Sequence, residues 1–214
     1  MAGLETWPAF HEEWYGHWVF RSAGGMTRRN NSVTPMGEPL TDLDVAIDWA
    51  EAWFDDHGIP PIFRLTELAP PNLRKRLSER TYERTDTTLV MTRSTEVGHF
   101  DPNVLVSEEP TREWRDLLVA DRPLASEFRA SFDELLALAG LPSGFAELVV
   151  GGTTRAIGQV TMSASFAVIF NMKTDPAHRR SGYAARTLET LLAHASARGA
   201  KETMLQVQDD NHPA

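Results

Sequence analysis

The sequence contains no cysteine. That excludes disulfides, thiolate zinc sites and a cysteine nucleophile. No apolar run approaches the ~20 residues of a membrane-spanning helix. The opening MAGLETWPAFHEEW has no basic stretch followed by an apolar one, so no secretory signal is read there. A cytoplasmic protein with no membrane partner is the expectation. Positive charge is scarce: 21 Lys and Arg stand against 30 Asp and Glu, a net charge of −9. Nucleic-acid affinity depends on neutralising phosphates, so this balance argues against a nucleic-acid partner. It mildly favours a cationic one such as an amine. The 7 histidines have no metal-ligand spacing, and the chain has no G-x-S-x-G elbow, no G-x-x-x-x-G-K-[ST] loop and no G-x-G-x-x-G turn.

What is present suffices for one large or two small domains: 214 residues, 42% hydrophobic and 24% charged. The chain is organised around residues 167–208. Residues 167–170 form a continuous apolar run that suits a strand buried on both faces, and Pro176, with no N–H to give, ends it. The basic turn His178-Arg179-Arg180-Ser181-Gly182 follows. Ala184, Leu188, Leu191, Leu192 and Ala195 then recur on one helical face, and Gly199 supplies the stop. Met204, Leu205 and Val207 begin another strand. A helix N-terminus offers free N–H groups and partial positive charge, which suits an anion. Gly182 lets the backbone approach a phosphate, and Arg179 and Arg180 add donors.

Arg179, Gly182 and Ala184 match the pattern R-x-x-G-x-A. With Thr174-x-Pro176 before it and Gln206-Val207 and Asn211 after it, the stretch resembles the acetyl-CoA-binding core of the GNAT acetyltransferase family. The resemblance implies an α/β fold with a mixed, mostly antiparallel sheet flanked by helices. It implies acetyl-CoA as cofactor, with the backbone of Met172 and Thr174 on the pantetheine arm and the Met172 N–H polarising the thioester carbonyl. The amides of Arg180, Ser181, Gly182, Tyr183 and Ala184 would hold the pyrophosphate, and Asn211 would bond the pantetheine. Plain strand pairing for Met172 and Thr174, and a turn or helix cap for Asn211, are the alternatives. Direct transfer to a primary amine of a small molecule or peptide is the implied reaction. Non-catalytic acyl-CoA binding and an interaction module of the same architecture are its rivals.

The first half has the same order of elements. Pro35 and Pro176 lie 141 residues apart, as do Gly58 and Gly199, and a fixed offset is the mark of a duplicated unit. Residues 13–21 read as a strand, 30–34 as another, and Leu43 to Phe54 as a helix capped by Thr41 or Asp42. A strand follows at 62–66, a helix at 72–80 and a strand at 87–92. At the same offset Arg179, Arg180 and Gly182 become Glu38, Pro39 and Thr41, so the first copy should not bind the cofactor. Residues 93–101 have a loop composition, which sets units of 1–97 and 98–214. In the second unit 103–107, 145–150 and 155–163 read as strands, 114–119 and 123–138 as helices.

GNAT domains continue past the asparagine into a helix and two strands, often with a tyrosine acid. That tyrosine has no counterpart here, and an unfinished sheet edge would favour pairing into a homodimer. Glu147 is the candidate base, with a solvated surface glutamate as its other reading. Asp175 is a second acid near the turn, or a residue that shapes it. The aromatic group Trp7, Trp14, Tyr15, Trp18 and Phe20 reads as core or interface packing ahead of a pocket lining.

Overall fold

The structure is a computed structural model that describes residues 2–95, 98–122 and 125–209. It divides into two compact units. One comprises Met1–Thr6, Asp86–Arg129 and Ala139–Ala214; the other comprises Trp7–Thr85 and Ala130–Leu138.

After a short helix, α1 (Ala2–Glu5), the N-terminal unit begins with β1 (His11–Tyr15) and β2 (Trp18–Ser22). The sequence reads this stretch as one strand, and the structure corrects it to a hairpin. Gly16, at φ +59°, takes a left-handed turn that a side chain would resist. β3 (Ser32–Pro35) pairs antiparallel to β2, with Phe20 opposite Val33. Helix α2 (Leu43–Asp56) is capped by Asp42, whose carboxylate accepts the Asp44 N–H at 2.9 Å. Its buried face, Ala46, Ile47, Ala50, Trp53 and Phe54, packs on Trp18, Phe20 and Val33, joined by Leu73 and Leu77 of α3 (Leu73–Glu79). Trp7 is also buried, and Tyr15 stacks on Trp49 at 4.9 Å, whereas Trp14 is exposed. The aromatic group is therefore mainly packing. The strand expected at 62–66 shrinks to one parallel bridge, Val33 to Phe63. Pro60 and Pro61 offer no N–H just before it.

The C-terminal unit contains β4 (Thr88–Ser94), β5 (Val104–Ser107), α4 (Arg112–Val119), the first turn of α5 (Ala125–Leu138), β6 (Ser143–Val150), β7 (Thr153–Ser163), β8 (Phe166–Thr174), α6 (Tyr183–Ala197) and β9 (Glu202–Gln208). Its sheet runs β4-β9-β8-β7-β6-β5. Every pairing is antiparallel except β8 with β9. The fold is thus mixed α/β, with a mostly antiparallel sheet flanked by helices. On one face Leu191 and Ala195 of α6 pack on Ala146, Leu148, Ala156, Val160 and Ile169. On the other, Trp114 of α4 meets Phe145 edge-on at 5.3 Å. Burying one such aliphatic side chain contributes about 1.5–3 kcal/mol.

The unit boundary expected at 97 moves to 85/86. β4, assigned to the first unit by sequence, pairs along its whole length with β9, Leu89 opposite Val207 and Met91 opposite Leu205. It covers the side of β9 that faces away from β8. The repeat itself is visible in both topologies: an antiparallel strand pair, a helix, then a parallel return. Helix α2 moved by 141 residues falls on 184–197, against Tyr183–Ala197 for α6.

Candidate active site

The ladder between β8 and β9 is short. It pairs Phe166, Ala167, Val168 and Ile169 with Glu202, Thr203, Met204 and Leu205, and stops there. β8 nevertheless continues to Thr174 along β7. Beyond Ile169 the two parallel strands run on, β9 to Gln208, without pairing to each other, which leaves an unladdered gap between them. A bulge marks the place. Ile157 pairs with Lys173 and Gln159 with Phe170, so Gly158 faces both Asn171 and Met172. Asn171 sits at φ +50°. A Cβ on Gly158 would lie 2.5 Å from Met172 Sδ and 2.7 Å from Leu191 Cδ1, so any side chain there would push those two side chains aside.

The direction of the backbone follows from the register. The Asp175 N–H donates to the Arg155 carbonyl at 2.8 Å, toward β7. Backbone groups along a strand alternate between its edges, so Lys173 also faces β7 while Met172 and Thr174 face the gap. Among the described residues neither meets a ladder partner on β9. These are the two residues whose backbone the sequence assigns to the pantetheine arm.

The chain runs from β8 directly into the basic turn. Asp175 caps the single turn Pro176–His178 by accepting the Ala177 N–H at 3.1 Å. Arg155 (2.7 Å) and His178 (2.9 Å) also bind its carboxylate. The Arg155 contact leads in holding its carboxyl below the usual range. With both oxygens engaged, Asp175 shapes the turn. Arg180 and Gly182 take left-handed backbone, φ +64° and +75°. Gly182 is the N-cap of α6 and brings no side-chain cap; the first helical bond goes from Arg186 N–H to its carbonyl. The N–H groups of Gly182, Tyr183, Ala184 and Ala185 therefore have no acceptor within the helix. A Cβ on Gly182 would meet nothing within 4 Å, so the space beside this residue is open. The side chains of Arg179, Arg180 and Ser181 are exposed around it, and Ala184 is exposed on the first turn. Tyr183 is half-buried against the α6 core and stacks on His178 with centroids 6.5 Å apart.

Glu147 lies elsewhere. It is buried on β6, where the hydroxyls of Thr111 and Thr154 donate to its two carboxylate oxygens. β7 separates it from β8, about 10 Å at the usual strand spacing. The surface reading is corrected by its burial. Its two carboxylate oxygens tie the Thr111 cap of α4 and Thr154 to the sheet. Asn211 lies outside the described residues.

The family model described as "Probable histone acetyltransferase Rv0428c C-terminal" matches residues 1–214, the whole chain. The chain belongs to this family of GNAT acetyltransferases. A curated relative, the uncharacterized N-acetyltransferase YobR of Bacillus subtilis (strain 168), is 24% identical over 215 residues, covering 96% of this GNAT chain and 85% of YobR. A GCN5-related N-acetyltransferase from Kribbella flavida superposes with a TM-score of 0.61 at 17% identity, over 93% of this chain and 80% of that one. A tandem GNAT protein from the clavulanic acid biosynthesis pathway gives 0.55 at 12% identity, over 85% and 68%. Both structures are likenesses of fold. The sequence reading of this GNAT chain misses Asn171 and Gly158. An isolated glycine in a strand pattern is the signal that could have marked the bulge.

Proposed function

We propose that the C-terminal unit binds acetyl-CoA and transfers its acetyl group directly to a primary amine of a small molecule or peptide. The observation that carries this reading is the open backbone edge of Met172 and Thr174, continuous in the chain with the unfilled N-terminus of α6. The donor set fits the cofactor: N–H groups and arginines suit a pyrophosphate, and a free strand edge suits an amide-bearing arm. Gly182, Tyr183 and Ala184, with Arg179, Arg180 and Ser181 beside them, would hold the phosphates. Met172 and Thr174 would hold the arm, and the Met172 N–H would donate to the carbonyl oxygen. Bound there, the thioester supplies an acetyl carbon that a neutral amine attacks, a C–N bond forming as the C–S bond breaks. The net charge of −9 favours a cationic acceptor, which must shed a proton before attack.

Calorimetric titration with acetyl-CoA, followed by thioester turnover on a panel of amines, tests the proposal. Binding with turnover supports it. Binding without turnover supports the second reading, non-catalytic acyl-CoA binding. Absence of binding by the folded chain overturns both.

A further inference from the structure

The Met172 N–H reaches the gap because the residue before it, Asn171, is left-handed. Asparagine adopts that conformation more readily than other non-glycine residues, and here its side chain is tied in place as well. Asn171 Nδ2 donates to Gln159 Oε1 at 2.8 Å. Gln159 is 1% exposed, on β7, opposite Phe170 and directly after Gly158 of the bulge. The polar row continues inward: Gln159 Nε2 contacts Thr161 Oγ1 at 3.4 Å, and the Thr161 and Ser143 hydroxyls bond at 2.8 Å. A buried amide in a strand interior is costly unless paired, and a β-branched residue would suit this position better. The amide is instead spent on the left-handed residue of the gap edge.

We infer that Gln159 and Asn171 are positioning residues for acyl transfer. Their side-chain bond locks the β8 bulge in the conformation that aims the Met172 N–H into the gap. Freed of it, residue 171 would relax toward extended backbone, and Met172 would lose its fixed direction. The inference rests on the proposed use of the Met172 N–H as donor to the thioester oxygen. Gly158 leaves room for the bulge, and Trp114 Nε1 bonds the Gly158 carbonyl at 3.2 Å from the α4 side.

The test compares wild type with Gln159→Leu, Gln159→Glu and Asn171→Gly by amide NMR during acetyl-CoA titration and by turnover on the amine panel. Gln159→Glu keeps the acceptor, and Asn171→Gly deletes the bond and leaves the left-handed backbone permitted but no longer fixed. In all four chains the amides of 180–184 should shift with the same Kd within about twofold. The Met172 amide shift at saturation should be present in wild type and Gln159→Glu and lost in Gln159→Leu and Asn171→Gly. In those two, kcat should fall at least tenfold with the KM for acetyl-CoA unchanged. The double variant should be no worse than either single one, as for residues that act as a unit. If wild-type amides ignore acetyl-CoA, the proposed function falls and this inference with it. If wild type responds and Gln159→Leu matches it at Met172 and in kcat, the inference alone falls. A uniform loss at both Met172 and 180–184 would show a merely structural role and also overturn it.

Discussion

Gly182 carries two separable requirements. Its φ of +75° makes any side chain strained, and its open Cβ direction puts any side chain at the start of α6. Gly182→Ala should cost about 1–2 kcal/mol from backbone strain. That is roughly 2–8 °C in Tm for a chain of this size. Gly182→Glu should show a similar Tm and in addition lose CoA affinity more than tenfold, because a carboxylate would stand where the proposed function puts a phosphate. Melting curves and CoA titrations of both variants separate the effects; equal CoA affinity in the glutamate variant and wild type would remove the turn from the site. Asp101 acts on the same helix from outside. Arg186 grips its carboxylate through Nε (2.6 Å) and Nη2 (3.1 Å), and the Asn103 N–H adds a third donor at 2.8 Å. The Arg186 bond first, then the backbone bond, holds the Asp101 carboxyl well below the usual carboxylate range. A depressed folded-state pKa gives stability that is complete above the unfolded value, about 3.9, and drains away as pH falls further. The Tm difference between wild type and Asp101→Asn should therefore be constant from about pH 5 to 8 and narrow below about pH 4. A difference that stays constant through pH 3 would count against this ion pair.

At the level of elements, β4 has an alternation that can be tested directly. The Asp209 N–H bonds the Thr87 carbonyl and the Thr95 N–H bonds the Lys201 carbonyl, so odd-numbered residues of the strand face β9. Met91→Pro removes a donor from that ladder and should destabilise the C-terminal unit by roughly 1–3 kcal/mol. Val90→Pro points its missing N–H outward, as prolines on edge strands do, and should cost clearly less. Equal losses in chemical denaturation would mean that the ladder does not hold β4. The same strand shows where sequence reading stops. Helix α6, the β6–β7 hairpin and the return to β9 were legible because proline, paired glycines and apolar period punctuate them. The ladder partner of β4 was not. Its Leu89, Val90 and Met91 are all exposed, so no one-sided pattern points to a sheet, and the loop composition of 93–101 suggests a linker instead. The gap was legible in part. The basic turn stands out by composition, whereas the bulge depends on the side chain of Asn171, twelve residues from its partner Gln159. The position of Glu147 was hidden for a related reason: its donors, Thr111 and Thr154, come from two other elements.

For the whole molecule, duplication poses a question of stoichiometry. The two units share the order of strand pair, helix and parallel return, yet their helices begin differently. Helix α6 starts at a bare glycine that brings no side-chain cap, with open space on its Cβ side. Helix α2 starts at Asp42, whose own carboxylate takes the Asp44 N–H, so the positive end of the helix is already neutralised within the chain. Glu38 adds a second negative charge to that turn, and Pro39 removes a donor. An anion approaching α2 would face repulsion from both acids and the loss of an existing cap, which by itself is worth about 1 kcal/mol. Under the proposed function the repeat would therefore provide two scaffolds and one cofactor site. Calorimetry should give one acetyl-CoA per chain, and Gly182→Glu should remove that single event without exposing a weaker second one. Asp42→Ala should lower stability through loss of the cap while leaving the stoichiometry at one, because Pro39 still lacks its N–H and no glycine opens the turn. A titration that fits two sites per chain, or one that survives Gly182→Glu, would place cofactor binding in the N-terminal unit and reverse the division of labour between the two copies.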